Sequence, residues 1–276
     1  MLGYCYVNGE IKTVAESSIG ITDLALQRGY GVFDYICTFN GSLFHFHDHY
    51  ERFKFSASEL SMLLPLSKSE MKKIGMQLLE MSELDNPALR MILTGGYSNI
   101  KPLLSIPNLI MIAEELPVYP HEVYTNGAKL IMVNYQRELP HVKTINYLNT
   151  FRLNKLKKEK DAFDVLYYSD NGVAECPRNN FFIIKNNELI TPKEFVLFGI
   201  TRKIILELAR ECFTIEERKI KLEELKDANE AFITSTTGGI IPITQIDEHK
   251  IGNGIVGDKT KNIMKLFDKY TKNYLD

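Results

Sequence analysis

Lys143 lies in HVKTINYLNTF, after Pro140 and at the start of a helical pattern, among apolar and small polar neighbours. Desolvation there would lower its pKa and present a neutral amine. A neutral amine is what Schiff-base chemistry with an aldehyde cofactor requires. Taken alone, most lysines are solvated surface residues. Glu175, in DNGVAECPRNNFF, follows a turn and the start of a strand. A carboxylate between apolar strand segments is costly without a partner. The protonated ring nitrogen of a pyridine cofactor is one such partner; an exposed strand-end glutamate is the plainer reading. Phe198-Gly199-Ile200-Thr201-Arg202 leads into an amphipathic pattern. Free N–H groups at a helix N-terminus bind anions, and glycine lets a phosphate approach closely. The alternative is an ordinary helix start capped by Thr201. Thr234-Ser235-Thr236-Thr237-Gly238-Gly239 could cradle a phosphate with hydroxyls and N–H groups, or form a polar turn. Arg52 carries a guanidinium that grips phosphate as a fork. His45, His47 and His49 alternate like strand-borne metal ligands, but a helix expected here scatters them, so no metal is expected.

These residues need elements to position them. YCYV, Asn8-Gly9 and EIKTV read as a hairpin with a tight turn, and GVFDYICTF, Asn40-Gly41 and SLFHF repeat the pattern. Helical spacing over 47–60 puts Tyr50, Phe53, Ala57 and Leu60 on one side. Ser67-x-x-Glu70 is a capping box before a helix through about Met81. ALRMILTGG and NLIMIAEE read as buried strands, and LPVYPHE, bracketed by Pro117 and Pro120, as a linker. Beyond it, AKLIMVNYQ and DVLYY are expected strands with a helix over 147–160 between them. FFIIKNNELI is a further hairpin, 199–212 an amphipathic helix, NEAFITSTTGGIIPI a strand pair, and the last helix starts near Asp258. The expectation is two α+β domains, residues 1–116 and 124–276, joined by a linker at 117–123, with Lys143 in the second.

The 276 residues are 45% hydrophobic, 25% charged and 11% aromatic, which suits a globular protein with a full core. A net charge of −2 gives no reason to expect nucleic acid or an anionic membrane as partner. No apolar run approaches the roughly 18 residues of a membrane span. The opening MLGYCYVNGEIKTV lacks the basic region and apolar core of a secretory signal. Cysteines at 5, 37, 176 and 212 form no C-x-x-C pair, so a cytoplasmic protein with free, mostly buried thiols is expected.

The stretches RGYGVFD, HDHYERFKFSASEL, KTINYLN, ECPRNNFF, GITR and FITSTTGGIIP occur in this order along nearly the whole chain. Together they resemble the class IV aminotransferases, the fold-type IV pyridoxal-phosphate enzymes. GITR and the E-x-x-x-x-N-x-F stretch are the most specific matches. The resemblance implies two α/β domains with pyridoxal 5'-phosphate in the cleft between them, usually in a homodimer. It implies that Lys143 anchors the cofactor aldehyde and that Glu175 pairs with the pyridine nitrogen. Arg52, Ile200, Thr201 and Thr236 would bind the phosphate, the middle two through backbone N–H. Tyr147 would lie near the phenolic oxygen, and Tyr30, Phe33, Tyr35 and Thr237 would line the substrate pocket.

Within the family the pocket differs from the usual patterns. Phe33 is followed by Asp34-Tyr35-Ile36-Cys37, not by the E-G-I-R of many branched-chain enzymes. TGGYSNIKP has neither the Arg nor the His of the R-x-H carboxylate trap of D-amino-acid enzymes. Cys176 directly after Glu175 resembles aminodeoxychorismate lyases, which usually lack an intact GITR. The leading expectation is branched-chain-type transamination of L-amino acids with 2-oxoglutarate. D-amino-acid transamination comes next, then the lyase, and last a catalytically inactive metabolite-binding protein on the same fold.

Overall fold

The structure is a computed structural model and describes residues 3–97 and 106–275. It divides into two units. The first takes Met1–Leu116, Val142–Asn146 and the chain from Tyr274. Its elements are β1 (Tyr4–Val7), β2 (Glu10–Thr13), α1 (Leu24–Arg28), β3 (Gly31–Phe39), β4 (Ser42–Leu43), α2 (Phe46–Glu59), α3 (Lys68–Met81), β5 (Pro87–Tyr97) and β6 (Ile106–Glu115). Among the described residues the strands form one sheet, in the order β2-β1-β6-β5-β3-β4, with antiparallel neighbours.

Both expected Asn-Gly hairpins form. Asn8 and Gly9 have φ of 49° and 107°, and Asn40 and Gly41 have 51° and 76°. Two successive positive φ values make the turn that matches the twist of the strands, and Asn-Gly tolerates them best. The SLFHF strand is shorter than expected, because His45 turns left-handed at φ 50° and α2 begins at Phe46. Ser67 and Glu70 form the capping box on α3. Phe53, Ala57, Met71 and Leu78 are buried in one core cluster with Val32, Ile36, Leu89 and Met111 of the sheet. The alternation of β3 puts Asp34 in register with Val32 and Ile36, so a carboxylate enters an apolar layer.

The second unit takes Pro117–His141 and Tyr147–Asn273. It contains α4 (His121–Thr125), β7 (Ala128–Asn134), α5 (Leu148–Arg152), α6 (Asn154–Glu159), β8 (Asp164–Ser169), β9 (Gly172–Val173), β10 (Asn180–Lys185), β11 (Glu188–Thr191), α7 (Ile200–Ala209), β12 (Thr214–Glu217), β13 (Glu230–Ser235), β14 (Gly239–Ile246), β15 (His249–Lys250) and α8 (Asp258–Lys272). Its sheet runs β12-β11-β10-β13-β14-β7-β8-β9, with β15 beside β14. Parallel pairs β11–β12, β7–β14 and β7–β8 mix with antiparallel ones, so the class is α+β. Strand β10 is buried on both faces, as its unbroken apolar run requires: Phe181 and Ile183 enter one core, while Phe182 stacks on Phe232 at 4.8 Å.

Three further expectations differ from the structure. The helix expected over 147–160 breaks at Leu153, whose side chain is buried against Val165 and Tyr167. Residues 117–123 group with the second unit, and α4 begins inside them. The lysine segment Val142–Asn146 instead groups with the first unit. There Phe33 N donates to Lys143 O at 2.9 Å, Ile145 N to Gly31 O at 3.1 Å and Lys143 N to Ser56 Oγ at 3.1 Å. The segment extends the pairing of β3, a contact between residues more than a hundred positions apart.

Candidate active site

In the first unit, Lys143 Nζ stands 4.6 Å from the centre of the Phe33 ring. The backbone bonds just described fix that height, because they tie residues 143 and 145 to residues 31 and 33. An ammonium is attracted to an aromatic face, and a neutral amine is shielded there from water. Phe33 and Tyr35 share a face, as strand alternation requires. That face is not purely apolar. The Arg90 guanidinium lies 4.8 Å from the Tyr35 ring and 5.9 Å from the Phe33 ring. Its fork meets Glu114, with Nε donating to Oε1 at 2.7 Å and Nη2 to Oε2 at 2.8 Å. Burial, with the charge of Glu114 beside it, pushes the Tyr35 hydroxyl up to about 12. Sequence reading misses Arg90, because only the β3–β5 register sets it opposite Tyr35. Tyr30 has a framework contact: its hydroxyl donates to the Leu60 carbonyl.

Arg52 does not stand as an open fork. Its Nε donates to Asp34 Oδ2 at 2.9 Å and its Nη2 to Asp34 Oδ1 at 2.7 Å. His49 Nδ1 shares Oδ1 at 2.8 Å. Burial alone would raise the Asp34 pKa, but Arg52 and His49 outweigh it and hold the carboxyl well below its usual range. Burial lowers the His49 pKa despite the pull of Asp34. Sequence reading misses Asp34 and His49 as well; the usable signal is an acid in the apolar stripe Val32-x-Asp34-x-Ile36, facing a His-x-x-Arg helix. The three alternating histidines separate as expected. His45 caps α2 and meets Asp48, His47 is exposed, and His49 is buried on Asp34.

In the second unit, Glu175 is buried, 3% exposed. Arg137 Nη1 donates to its Oε1 at 3.1 Å. Its Oε2 accepts from Asn180 Nδ2 at 2.9 Å and from the Leu197 N–H at 3.0 Å. Asn180 is the Asn of the E-x-x-x-x-N-x-F stretch, and its amide also donates to Leu197 O at 2.7 Å. This explains the spacing: a turn closed by Cys176 N to Asn179 O returns the chain so that residue 180 faces residue 175. Gly199 then begins α7 with Ile200 and Thr201, both buried, in its first turn, and no side chain caps them. Thr201 lies inside the first turn and Gly199 is the cap residue, where a Cβ would stand 2.1 Å from Asn180 Oδ1. Arg202 completes GITR as a strut, its Nη2 donating to Pro192 O at 3.0 Å and Glu217 at 2.8 Å.

Thr236 and Thr237 sit half-buried in the turn after β13, where Gly238 N donates to Ser235 Oγ at 3.1 Å. Tyr147 precedes α5, and the Arg178 guanidinium lies 5.7 Å from its ring. Cys176 is buried, and burial pushes its thiol well above the ordinary range. The TGGYSNIKP stretch lies outside the described residues from Ser98 onward.

Within the second unit, a buried carboxylate held by charged and neutral donors suits a pyridine nitrogen and a helix start without a side-chain cap suits a phosphate; within the first, an amine over an aromatic face suits an aldehyde. The family model for class IV amino-transferases matches residues 31–246. The chain belongs to the class IV aminotransferases. It is 31% identical to a protein of Methanocaldococcus jannaschii named as a branched-chain-amino-acid aminotransferase, over 95% of this chain and 94% of that one. It is also 31% identical to the D-alanine aminotransferase of Bacillus licheniformis, over 93% of each. The branched-chain amino acid aminotransferase of Escherichia coli superimposes with a TM-score of 0.91 at 23% identity, covering 100% of this chain and 97% of that one. A T.th. branched-chain amino acid aminotransferase, solved with pyridoxamine 5'-phosphate, gives 0.91 at 22%, covering 99% and 95%. These solved structures share the fold of this chain, that of the fold-type IV enzymes. As a class IV aminotransferase, the chain is a pyridoxal-phosphate-dependent transaminase.

Proposed function

We propose that this class IV aminotransferase transfers the amino group of L-amino acids with branched apolar side chains to 2-oxoglutarate. The observation that carries the assignment of its chemistry is Lys143 Nζ above the Phe33 ring. The bound cofactor supplies an aldehyde carbon and an electron-accepting ring. With the cofactor bound, Lys143 would anchor that aldehyde and supply the amine that moves the Cα proton. Glu175 holds the proton of the ring nitrogen. The N–H groups of Ile200 and Thr201, the Thr236 hydroxyl and Arg52 would hold the phosphate when the cofactor is bound. Tyr147 would serve the phenolic oxygen, and Thr237 the substrate.

Phe33 and Tyr35 wall the substrate side chain. Arg90 over them is matched by Glu114, so that face carries no net charge to oppose an apolar group. Burying a branched side chain there contributes roughly 1.5–3 kcal/mol, at least tenfold in preference over alanine. D-amino-acid transamination is the second reading, favoured by equal identity to the two named relatives. Initial rates with L-leucine, D-alanine and 4-amino-4-deoxychorismate separate the readings. Faster turnover of D-alanine overturns branched-chain specificity, and pyruvate release from the chorismate derivative indicates the lyase. Borohydride reduction of the loaded enzyme should label the HVKTINY peptide; a label on another lysine removes Lys143 from its role.

A second copy of this chain is the proposed partner. Ile21 and Leu26 of the first unit are 80% and 69% exposed, and Leu148 and Phe151 of the second 76% and 63%, all good candidates for cover by another subunit. Sedimentation equilibrium at twice the monomer mass is the expected result. A cytosolic, reducing setting suits the four free cysteines, of which Cys5, Cys37 and Cys176 are buried. Among the described residues no helix is long and apolar enough to cross a membrane.

A further inference from the structure

Glu175 is not held by neutral groups alone. Asn180 and the Leu197 N–H orient its Oε2 but bring no charge, whereas Arg137 brings a permanent cation to 3.1 Å of Oε1. At 3% exposure, water does little of this work. The Arg137 loop is itself fixed. Arg137 Nη1 also reaches Pro140 O at 3.5 Å. His141 Nδ1 donates to Val196 O at 2.8 Å, and its ring stacks on Phe198 at 4.8 Å and 7°. The loop is thereby pinned beside Leu197, the residue whose N–H grips the other carboxylate oxygen.

We propose that Arg137 is a positioning residue that keeps Glu175 ionised, so that the proton between this carboxylate and the cofactor's ring nitrogen rests on the nitrogen. The proposal rests on the assignment of Glu175 to that nitrogen. Two arrangements compete: a protonated ring beside a carboxylate, and a neutral ring beside a carboxylic acid. The guanidinium touches the carboxylate and attracts its charge at contact distance. A ring nitrogen bonded to the carboxylate would stand farther from the guanidinium than the carboxylate itself does, and Coulomb energy falls with distance. The ionic arrangement therefore gains more than it loses. Only a protonated ring accepts the electrons released at Cα efficiently, so Arg137 acts on the chemistry through Glu175.

The test reconstitutes wild type, Arg137→Met, Arg137→Lys and Glu175→Gln with cofactor labelled at the ring nitrogen with nitrogen-15, and reads its resonance at neutral pH. Wild type is expected at the protonated-pyridine position. Arg137→Met should move toward the unprotonated position and Arg137→Lys should stay nearer wild type, because charge and not shape is at issue. Cofactor affinity, followed by equilibrium dialysis, should weaken about tenfold in Arg137→Met, about 1.4 kcal/mol. Arg137→Gln is the second neutral variant should the methionine protein fail to fold. A wild-type resonance in the neutral variants, with a shifted one in Glu175→Gln, overturns the role of Arg137 and leaves Glu175 in place. A wild-type resonance in Glu175→Gln overturns both.

Discussion

Asp34→Asn removes the carboxylate that Arg52 and His49 share. The carboxylate is fully buried and accepts Arg52 Nε at 2.9 Å, Arg52 Nη2 at 2.7 Å, His49 Nδ1 at 2.8 Å and the Tyr35 N–H at 2.8 Å. Asparagine keeps the size but takes from a guanidinium, 10% exposed, the Asp34 charge that its fork meets. Breaking a buried pair from one side costs about 3–5 kcal/mol. Urea unfolding at neutral pH, followed by circular dichroism, should show that loss. The acid limb gives the sign. Arg52 and His49, against the opposing effect of burial, hold Asp34 well below its ordinary value in the folded protein. Its stabilisation is therefore complete above the unfolded value of about 3.9 and disappears as pH falls below it. The gap between wild type and variant should close by about 1.4 kcal/mol per pH unit below about pH 4. This limb is read in a His49→Gln background, so that no imidazole titrates at that position. A neutral-pH loss under about 1 kcal/mol, or a gap that ignores acid, would refute the reasoning.

Gly199→Ala sets a Cβ 2.1 Å from Asn180 Oδ1 and must displace the amide that holds Glu175. Losing that charge-assisted bond, about 1.5–3 kcal/mol, should weaken cofactor binding by tenfold or more in a fluorescence titration; unchanged affinity argues that Asn180 does not hold the site. Ser67→Ala removes the capping box of α3 and should cost about 1 kcal/mol in thermal unfolding, with activity unaffected. Asp164 goes the other way: burial raises its pKa despite Lys157 at 3.4 Å, so its charge opposes folding at neutral pH. Asp164→Asn should be at least as stable as wild type at pH 7, and any advantage should vanish in acid below the unfolded value of about 3.9, where the aspartate is protonated in both states. A clear loss of stability at neutral pH would contradict this.

The local pattern of the chain determined most of the elements. Asn-Gly pairs set two hairpins, Ser67 and Glu70 started α3, and apolar spacing drew α2, α7 and α8, because each depends on residues within a few positions of one another. Lys143, Glu175 and the GITR turn stood out only through the order of the motifs along the whole chain. Tertiary structure alone decided their surroundings. Arg52 meets Asp34 across 18 residues, Arg90 meets Tyr35 through strand register, Arg137 meets Glu175 across 38, and Lys143 groups with a strand more than a hundred residues earlier. Leu153 breaks a helix that its neighbours would continue, with its side chain buried against Val165 and Tyr167. Charge pairing and burial depend on distance in space, and a sequence contains that distance only through the fold.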